Sequence, residues 1–383
     1  MNVLELREVA VDYGRRGQRI RALDGVDLTL AKGEILGLVG ESGCGKSTLA
    51  RAAVGLEPLA AGSVSFEGQP VTTLGRRKRP EHLRGLQLVF QDPYESLNPR
   101  RKVGDLVADG VVLAGGSRGD GQRHAAELLE RVGLPRAAAD SYPHEFSGGQ
   151  RQRIAIARTL ATKPSCLIAD EPISALDASA QAQIANLLSD LVDDEGLGLI
   201  LVSHDLAVVR QVADRVAVMY LGRIVETGDT DTVWANPRHP YTEALVGAIP
   251  RLPESGGAGG RPPEASRAGA GVLPVDLPGD VPDPANPPTG CRFHPRCPVA
   301  QGSCRETEQH LATVDGRQIA CHVRSRRGGS GGSSPPEEAL CGSRTPTWST
   351  RRPARYSAAR RSRPRRTARS RRSPAAPRAT RTT

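Results

Sequence analysis

The chain has 383 residues, of which 38% are hydrophobic and 25% charged, and its formal net charge is +10. This length and apolar content are enough for the core of one large domain or two ordinary ones, and they exclude a wholly disordered chain. The start MNVLELREVAVDYGRRG has no basic, apolar leader, and no run of 18 apolar residues occurs, so neither a signal peptide nor a membrane span is predicted. The seven cysteines are therefore expected to be free thiols or metal ligands.

The positive charge is concentrated at one end of the chain. Residues 339–383 contain 14 arginines and no acids, so the remaining residues carry +10 − 14 = −4. This composition of Arg, Ser, Pro, Ala and Thr cannot bury enough apolar surface to fold, and residues 326–383 are predicted to be a disordered Arg-rich tail. We expect no dedicated role for it; the alternative is electrostatic binding to nucleic acid or anionic lipid.

The first 230 residues or so alternate strand and helix patterns. VLELREVAVDY, VDLTL and ILGLVG are typical of strands, and STLARAAVGL of a helix. A mainly helical insertion is expected at about 105–161. CLIADE and LILVSH then predict two further buried strands, with the helices QAQIANLLSDLVDDEG and LAVVRQVADR beside them. The alternation indicates an α/β fold with a mainly parallel core sheet.

The last third of the chain has a different composition. A stretch rich in Gly, Pro and Ala predicts a flexible linker at 253–275. A small cysteine-containing segment at 276–325 follows it, before the tail. The first domain is accordingly predicted at 1–252.

The stretch GESGCGKST follows a predicted strand and opens a predicted helix, and it fits the phosphate-binding pattern G-x-x-x-x-G-K-[ST]. Glycine backbone N–H groups can surround phosphate oxygens, Lys46 can reach the terminal phosphates, and Ser47 can ligate Mg²⁺. The alternative is an ordinary glycine-rich turn. We refer to this stretch as the phosphate loop; its predicted nucleotide-binding residues are Gly40, Glu41, Ser42, Gly43, Cys44, Gly45, Lys46, Ser47 and Thr48.

The buried strand in CLIADEP ends in two carboxylates. Asp170 is predicted to hold the Mg²⁺ shell, and Glu171 to polarise the water that attacks the γ-phosphate. Taken alone, such an acidic pair could simply end a strand and begin a turn.

FSGGQ places Ser147, Gly148, Gly149 and Gln150 at the start of a helix, as a second phosphate cradle. The two cradles cannot serve one nucleotide from the same side. Here the sequence resembles the ATP-binding cassette (ABC) ATPases, whose signature is usually LSGGQ; this chain has Phe146 in the first place. In that family the signature of one subunit covers the γ-phosphate bound by another. The resemblance implies a P-loop NTPase cassette with an antiparallel β subdomain and a helical signature subdomain.

Further family positions match in order, over about Met1 to Leu252. Tyr13 corresponds to the aromatic residue that stacks on adenine, although a lone Tyr is more often core. Gln91 corresponds to the residue that senses Mg²⁺ and the attacking water, and Asp177 of SALD to the loop at the subunit interface. His204 corresponds to the switch histidine. The resemblance implies Glu171, His204 and Gln91 as catalytic residues, with Ser47, Gln91 and Asp170 around Mg²⁺.

NPRHPYTEALVGAIPRL and the residues up to Cys304 resemble the C-terminal region of oligopeptide/dipeptide importer ATPases, a group that includes nickel importers. The resemblance implies an ATPase subunit that powers peptide import, peripheral to the cytoplasmic face of the membrane. Its expected partners are a second ATPase subunit, two membrane permease subunits and, indirectly, an extracytoplasmic solute-binding protein. The alternatives are a non-transport ABC ATPase acting on nucleic acid and a non-enzymatic metal-sensing scaffold.

Cys291, Cys297, Cys304 and Cys321 have the spacing C-x5-C-x6-C-x16-C, unlike the C-x2-C pairs of common zinc sites. A [4Fe-4S] cluster or Zn²⁺ held by all four is our interpretation, with iron–sulfur favoured by the irregular spacing. The alternative is a reduced, metal-free docking segment. Cys341 is expected to be spare.

Overall fold

The computed structural model describes residues 1–14, 19–75, 79–92, 96–174, 176–249 and 279–325. The predicted linker at 253–275, the tail at 326–383 and Cys341 lie outside these residues.

The larger sheet carries the residues predicted to bind nucleotide. Its described strands lie in the order β11-β12-β10-β9-β3-β8-β7-β6. The five strands from β9 to β6 are mutually parallel, and β10, β12 and β11 are antiparallel to their neighbours. Their bounds are β3 Ile35–Val39, β6 Leu86–Val89, β7 Cys166–Asp170, β8 Gly198–Ser203, β9 Arg215–Tyr220, β10 Arg223–Asp229, β11 Ala312–Val314 and β12 Arg317–Ile319.

A second, antiparallel sheet has the order β2-β1-β4-β5. Its first two strands are the alternating segments at the N-terminus, paired from Asn2 opposite Ala31 to Tyr13 opposite Ile20. The bounds are β1 Asn2–Tyr13, β2 Ile20–Ala31, β4 Ala61–Phe66 and β5 Gln69–Pro70.

The described helices cover the parallel sheet and form the predicted helical insertion. They are α1 Lys46–Ala53, α2 Val103–Leu113, α3 Arg118–Arg131, α4 Gly148–Leu160, α5 Ala178–Glu195, α6 Leu206–Val212, α7 Thr230–Ala235, α8 Pro240–Gly247 and α9 His322–Ser325. Short 3₁₀ turns lie at Glu81–Leu83, Arg136–Asp140, Pro143–Glu145, His294–Arg296 and Gly302–Arg305. None of the helices in the described ranges is long and apolar enough to cross a membrane.

The larger sheet separates two hydrophobic clusters, because side chains alternate between its faces. In β7, Leu167 and Ala169 belong to the cluster shared with the helical insertion, whereas Cys166 and Ile168 face the cluster shared with the antiparallel sheet. Every residue of β7 and β8 is buried, as predicted from their continuous apolar runs.

The C-terminal segment, residues 279–325, packs against the cassette. β12 pairs with β10 through Ile319 opposite Glu226, so the segment adds two short strands to the larger sheet. The ring of Phe293 is 1% exposed and lies among Tyr220, Tyr241 and His239. The segment therefore shares the core of the cassette.

Candidate nucleotide-binding site

Four parallel strands deliver the predicted site residues to one edge of the sheet. β3 leads into the phosphate loop, β6 precedes Gln91, β7 precedes Glu171, and β8 precedes His204. Adjacent strands are in register, with Val39 opposite Ser203 and Asp170 opposite Val202, so their carboxyl ends are level. This edge borders a cavity of about 740 Å³, lined by Tyr13, Ile20, Arg21, Ala22, Ser42, Gly43, Gly45, Lys46, Ser47, Thr48, Gln91, Glu171, His204, Leu221, Gly222, Asp283, Pro284, Pro287 and Arg292.

Backbone geometry explains the glycines of the phosphate loop. Gly40 has φ +156° and Gly45 φ +110°, a region that other residues rarely adopt. A Cβ at Gly40 would lie 2.2 Å from the Met219 carbonyl oxygen, and one at Gly45 would lie 2.8 Å from the Ala22 carbonyl oxygen. Both positions therefore also lack the space for a side chain.

Lys46 begins α1 and is 5% exposed. Its Nζ donates to the carbonyl oxygens of Gly40 (2.9 Å) and Glu41 (3.0 Å), which fixes the ammonium inside the loop. Of the nine predicted loop residues, Gly40, Glu41 and Cys44 do not line the cavity. Cys44 is 3% exposed, and burial raises its pKa, so its thiol is a packed neutral group.

The two residues predicted to hold Mg²⁺ lie together. Ser47 Oγ donates to Asp170 Oδ1 at 3.0 Å, at the junction of α1 and β7. Burial is the largest cause of the raised pKa of Asp170; the hydrogen bond from Ser47 opposes it and the Glu171 carboxylate adds to it. A hydroxyl and a carboxylate held this close are suitable oxygen ligands for a hard divalent cation.

Glu171 lies between the other two predicted catalytic residues. Its Oε2 accepts a hydrogen bond from Gln91 Nε2 at 3.1 Å and is 3.2 Å from His204 Nδ1. The Glu171 side chain is 14% exposed, and its backbone has φ +44°. A left-handed conformation at a residue other than glycine stores local strain, which is typical of functional sites.

Tyr13 also lines the cavity. Its ring is 37% exposed, and its hydroxyl lies 3.5 Å from Thr48 Oγ1. Asp283, Pro284, Pro287 and Arg292 of the C-terminal segment line the same cavity. The sequence offered no pattern that places these residues near nucleotide, since they are reached only through the packing of a segment about 240 residues beyond the phosphate loop.

The signature residues do not line this cavity. Ser147 caps α4: its Oγ accepts from the Gln150 N–H at 3.4 Å, and Gln150 Oε1 accepts from the Ser147 N–H at 2.9 Å. Ser147, Gly148 and Gln150 are exposed, as is Asp177, which caps α5. The residues predicted to form a second phosphate cradle are therefore largely exposed to solvent in this chain.

The four cysteines predicted to bind metal line one small apolar cavity between the C-terminal segment and the start of α8. All four are free thiols. Burial raises the pKa of Cys291 to about 11 and also raises that of Cys297 and Cys321. Within the described residues, no group of three or more His, Cys, Asp or Glu side chains is placed to hold a metal ion.

Comparison with known families gives two matches. Residues 23–174 match the ABC transporter family, and residues 225–273 and 273–304 match the C-terminal region of the oligopeptide/dipeptide transporter family. The first match spans the phosphate loop and Glu171, and the second includes three of the four cysteines.

The names of individual proteins similar to this chain agree with these two families. The chain is 50% identical over 308 residues to "Probable peptide ABC transporter ATP-binding protein y4tS" of Sinorhizobium fredii, covering 80% of this chain and 83% of that protein. It is 44% identical to the dipeptide transport ATP-binding protein DppF of Haemophilus influenzae, covering 79% and 89%. A dimeric ATP-binding cassette, MJ0796 bound to ADP and Pi, is 28% identical with a TM-score of 0.53, covering 59% of this chain and 98% of that one.

Proposed function

Because this chain belongs to the ATP-binding subunits of the peptide ABC transporters, we propose that it hydrolyses ATP to drive peptide import across the cell membrane. The observation that carries the proposal is the position of Glu171, held between Gln91 and His204 at the edge of a cavity lined by the phosphate loop. The names of its relatives support peptides as the transported cargo.

The three residues around the cavity edge have distinct roles in this proposal. The Glu171 carboxylate accepts a hydrogen bond from, and orients, the water that attacks the γ-phosphate. Gln91 and His204 keep the Glu171 carboxylate oxygen oriented toward this water. The His204 side chain is 55% exposed and can reach the γ-phosphate. Tyr13 would provide the face on which adenine stacks.

The phosphates bind to the loop. Backbone N–H groups and the N-terminus of α1 favour anionic oxygens, and Lys46 neutralises the terminal phosphates. Ser47, Asp170 and Gln91 are the residues that would hold Mg²⁺, which neutralises charge on the phosphate oxygens when bound.

A second ATPase subunit would complete the site. The signature residues Ser147, Gly148, Gly149 and Gln150 and the interface residue Asp177 are exposed or half-buried and lie outside the cavity of their own chain. We place them over the nucleotide of a facing subunit, so that ATP closes the pair and hydrolysis opens it. Two membrane-spanning permease subunits would hold the chain at the cytoplasmic face of the membrane and transmit this motion, with cargo supplied by a solute-binding protein outside.

The test is ATP turnover and peptide uptake by the full chain assembled with its permeases. Glu171→Gln preserves the shape of the side chain but removes its charge, and we expect a loss of about 10²-fold or more in kcat with ATP binding retained. Glu130→Gln is the matched control, since Glu130 is an exposed residue of α3 whose partner is Arg136. Unchanged turnover in Glu171→Gln would reject the catalytic assignment, and ATPase stimulation by DNA in place of peptide uptake would reject import.

We also propose that Cys291, Cys297, Cys304 and Cys321 hold an iron–sulfur cluster. The proposal is supported by the meeting of all four thiols at one small cavity, whose lining also includes His239, His294 and His322 and no carboxylate. The irregular spacing of the four cysteines, C-x5-C-x6-C-x16-C, favours an iron–sulfur cluster over zinc. The raised thiol pKa values mean that binding must displace protons.

Freshly purified protein should then contain iron and acid-labile sulfide and absorb visible light. The double variant Cys297→Ser with Cys304→Ser should lose the iron, the sulfide and the visible absorbance. Cys341→Ser, which lies outside the segment, should keep all three. A colourless, metal-free and stably folded wild-type protein would end this proposal.

A further inference from the structure

The phosphate loop contains an acidic residue, Glu41, whose backbone carbonyl, backbone N–H and side-chain carboxylate all form hydrogen bonds. The Glu41 carbonyl accepts from Lys46 Nζ at 3.0 Å, and its backbone N–H donates to the Tyr241 hydroxyl at 2.9 Å. Its carboxylate accepts two hydrogen bonds from Arg296, to Oε2 at 2.8 Å and to Oε1 at 3.0 Å. Tyr241 belongs to α8 and Arg296 to the C-terminal segment, so two of the three contacts come from residues that follow β10 in the sequence.

Arg296 is buried and held in place by its neighbours in the C-terminal segment and the cassette. Its side chain is 7% exposed, compared with 26% for that of Glu41. The guanidinium lies 6.0 Å from the centre of the Tyr220 ring, and Tyr220 in turn packs on Phe293, three residues before Arg296. Because the guanidinium is already buried and packed, Arg296 loses little side-chain entropy when it forms its two parallel hydrogen bonds. These bonds fix the geometry of the Glu41 carboxylate.

The charges explain what this pair does. A carboxylate in a loop that binds a triphosphate repels the ligand unless its charge is neutralised. Arg296 neutralises it from behind the loop, since neither Glu41 nor Arg296 lines the nucleotide cavity. The buried position limits screening by solvent and salt.

We propose that Arg296 is a positioning residue for ATP: it cancels the charge of Glu41 and fixes the backbone of the phosphate loop, so that the C-terminal segment sets the affinity of the cassette for nucleotide. This inference rests on the proposed ATP-binding function and adds to it a residue outside every nucleotide-binding motif.

The experiment is equilibrium binding of Mg-ATP to the full chain, together with steady-state ATPase kinetics. Arg296→Ala should weaken ATP affinity about tenfold, because the Glu41 carboxylate would then repel the phosphates without its neutralising partner. KM for ATP should rise by the same factor with kcat unchanged, because the loop holds the phosphates alike in the ground and transition states. Arg296→Lys, which keeps the charge without the fork, should give an intermediate loss.

The decisive variant is Arg296→Ala combined with Glu41→Gln. If Arg296 acts by neutralising Glu41, removing both charges should restore ATP affinity to within about threefold of wild type, a non-additive result. Arg324→Ala is the matched control, since Arg324 pairs with Glu243 of α8 and joins the same segment to the cassette away from the loop. Its ATP affinity should stay within about twofold of wild type.

The possible results separate this inference from the proposed function. Unchanged ATP affinity in Arg296→Ala would overturn the inference, as would a double variant no better than the single one. A fall in kcat with KM unchanged would also overturn it, because that pattern indicates lost folded protein. If Arg296→Ala does not fold, Arg296→Lys must bind ATP more weakly than wild type for the inference to stand. A wild-type chain that binds no ATP would refute the proposed function itself.

Discussion

Replacing Phe293 with alanine tests whether the C-terminal segment is an integral part of the cassette. The ring is 1% exposed and contacts three other rings, with centroid distances of 5.2 Å to Tyr220, 5.5 Å to Tyr241 and 5.6 Å to His239. Truncating a phenylalanine buried to this degree costs about 3–5 kcal/mol in free energy of unfolding, from lost apolar burial and the cavity left behind. We expect a value in this range for Phe293→Ala.

Urea unfolding followed by tryptophan fluorescence measures this loss. Trp234 is 8% exposed and belongs to the same hydrophobic cluster as Phe293, so its emission reports on that core. Val281→Ala is the matched control, because Val281 lies in the same segment and is 39% exposed. We expect the control to change the free energy of unfolding by less than about 0.5 kcal/mol.

The same variant should affect nucleotide binding. The 3₁₀ turn His294–Arg296 directly follows Phe293, so loosening the ring displaces the guanidinium that pairs with Glu41. A loss below about 1 kcal/mol, with ATP affinity intact, would show that the segment is not held by this core and would refute the reasoning.

Three further changes test other parts of the structure. Gly40→Ala should abolish ATP binding while the protein stays folded, because its Cβ would meet the Met219 carbonyl oxygen at 2.2 Å; equilibrium ATP binding checks this. Burial lowers the pKa of His239 to about 3. As the pH falls, the unfolded chain therefore binds a proton at His239 before the folded protein does. The stability gained by keeping His239 neutral is complete above about pH 6.5 and is lost as the pH falls toward 3. The free energy of unfolding should fall by about 1 kcal/mol from about pH 6.5 to 5.5. His239→Asn should flatten that part of the stability curve in urea unfolding. Arg317→Ala leaves the fully buried Glu226 carboxylate without its ion pair and should cost about 3 kcal/mol in free energy of unfolding by the same assay. Glu226 also accepts hydrogen bonds from the backbone N–H groups of Arg238 and His239, and a loss under about 1 kcal/mol would show that these two donors suffice.

Local pattern was enough to predict three of the five described parallel strands, β3, β7 and β8, and the polar residues that follow them, but not β6 or β9. ILGLV, CLIAD and GLILVS are short apolar runs, each succeeded by polar residues, and parallel strands bring the residues after their carboxyl ends to one edge of the sheet. The meeting of Ser47 with Asp170, and of Gln91 and His204 with Glu171, agrees with that rule and with the family resemblance. The roles of these residues stay predictions until the variants are measured.

The packing of the C-terminal segment could not be predicted in this way. β11 and β12 have three residues each, too short for a periodic signal. The contact of Arg296 with Glu41 joins residues 255 positions apart, and nothing in CRFHPRCP indicates its partner. The segment has few apolar residues of its own, so its stability depends on Tyr220 and Tyr241, which belong to the cassette.

In our proposals, two different steps of the ATP cycle are controlled from opposite sides of the phosphate loop. Glu171 lines the cavity and is proposed to act on the attacking water, so its removal should lower kcat. Arg296 lies behind the loop and acts on the charge and position of Glu41, so its removal should raise KM. Because Arg296 is next to Cys297, any event that rearranges the cysteines would move the guanidinium and so change the affinity for ATP before it changed the chemistry. If oxidising or stripping the cysteines altered kcat while leaving KM for ATP constant, this division between the two sides of the loop would be wrong.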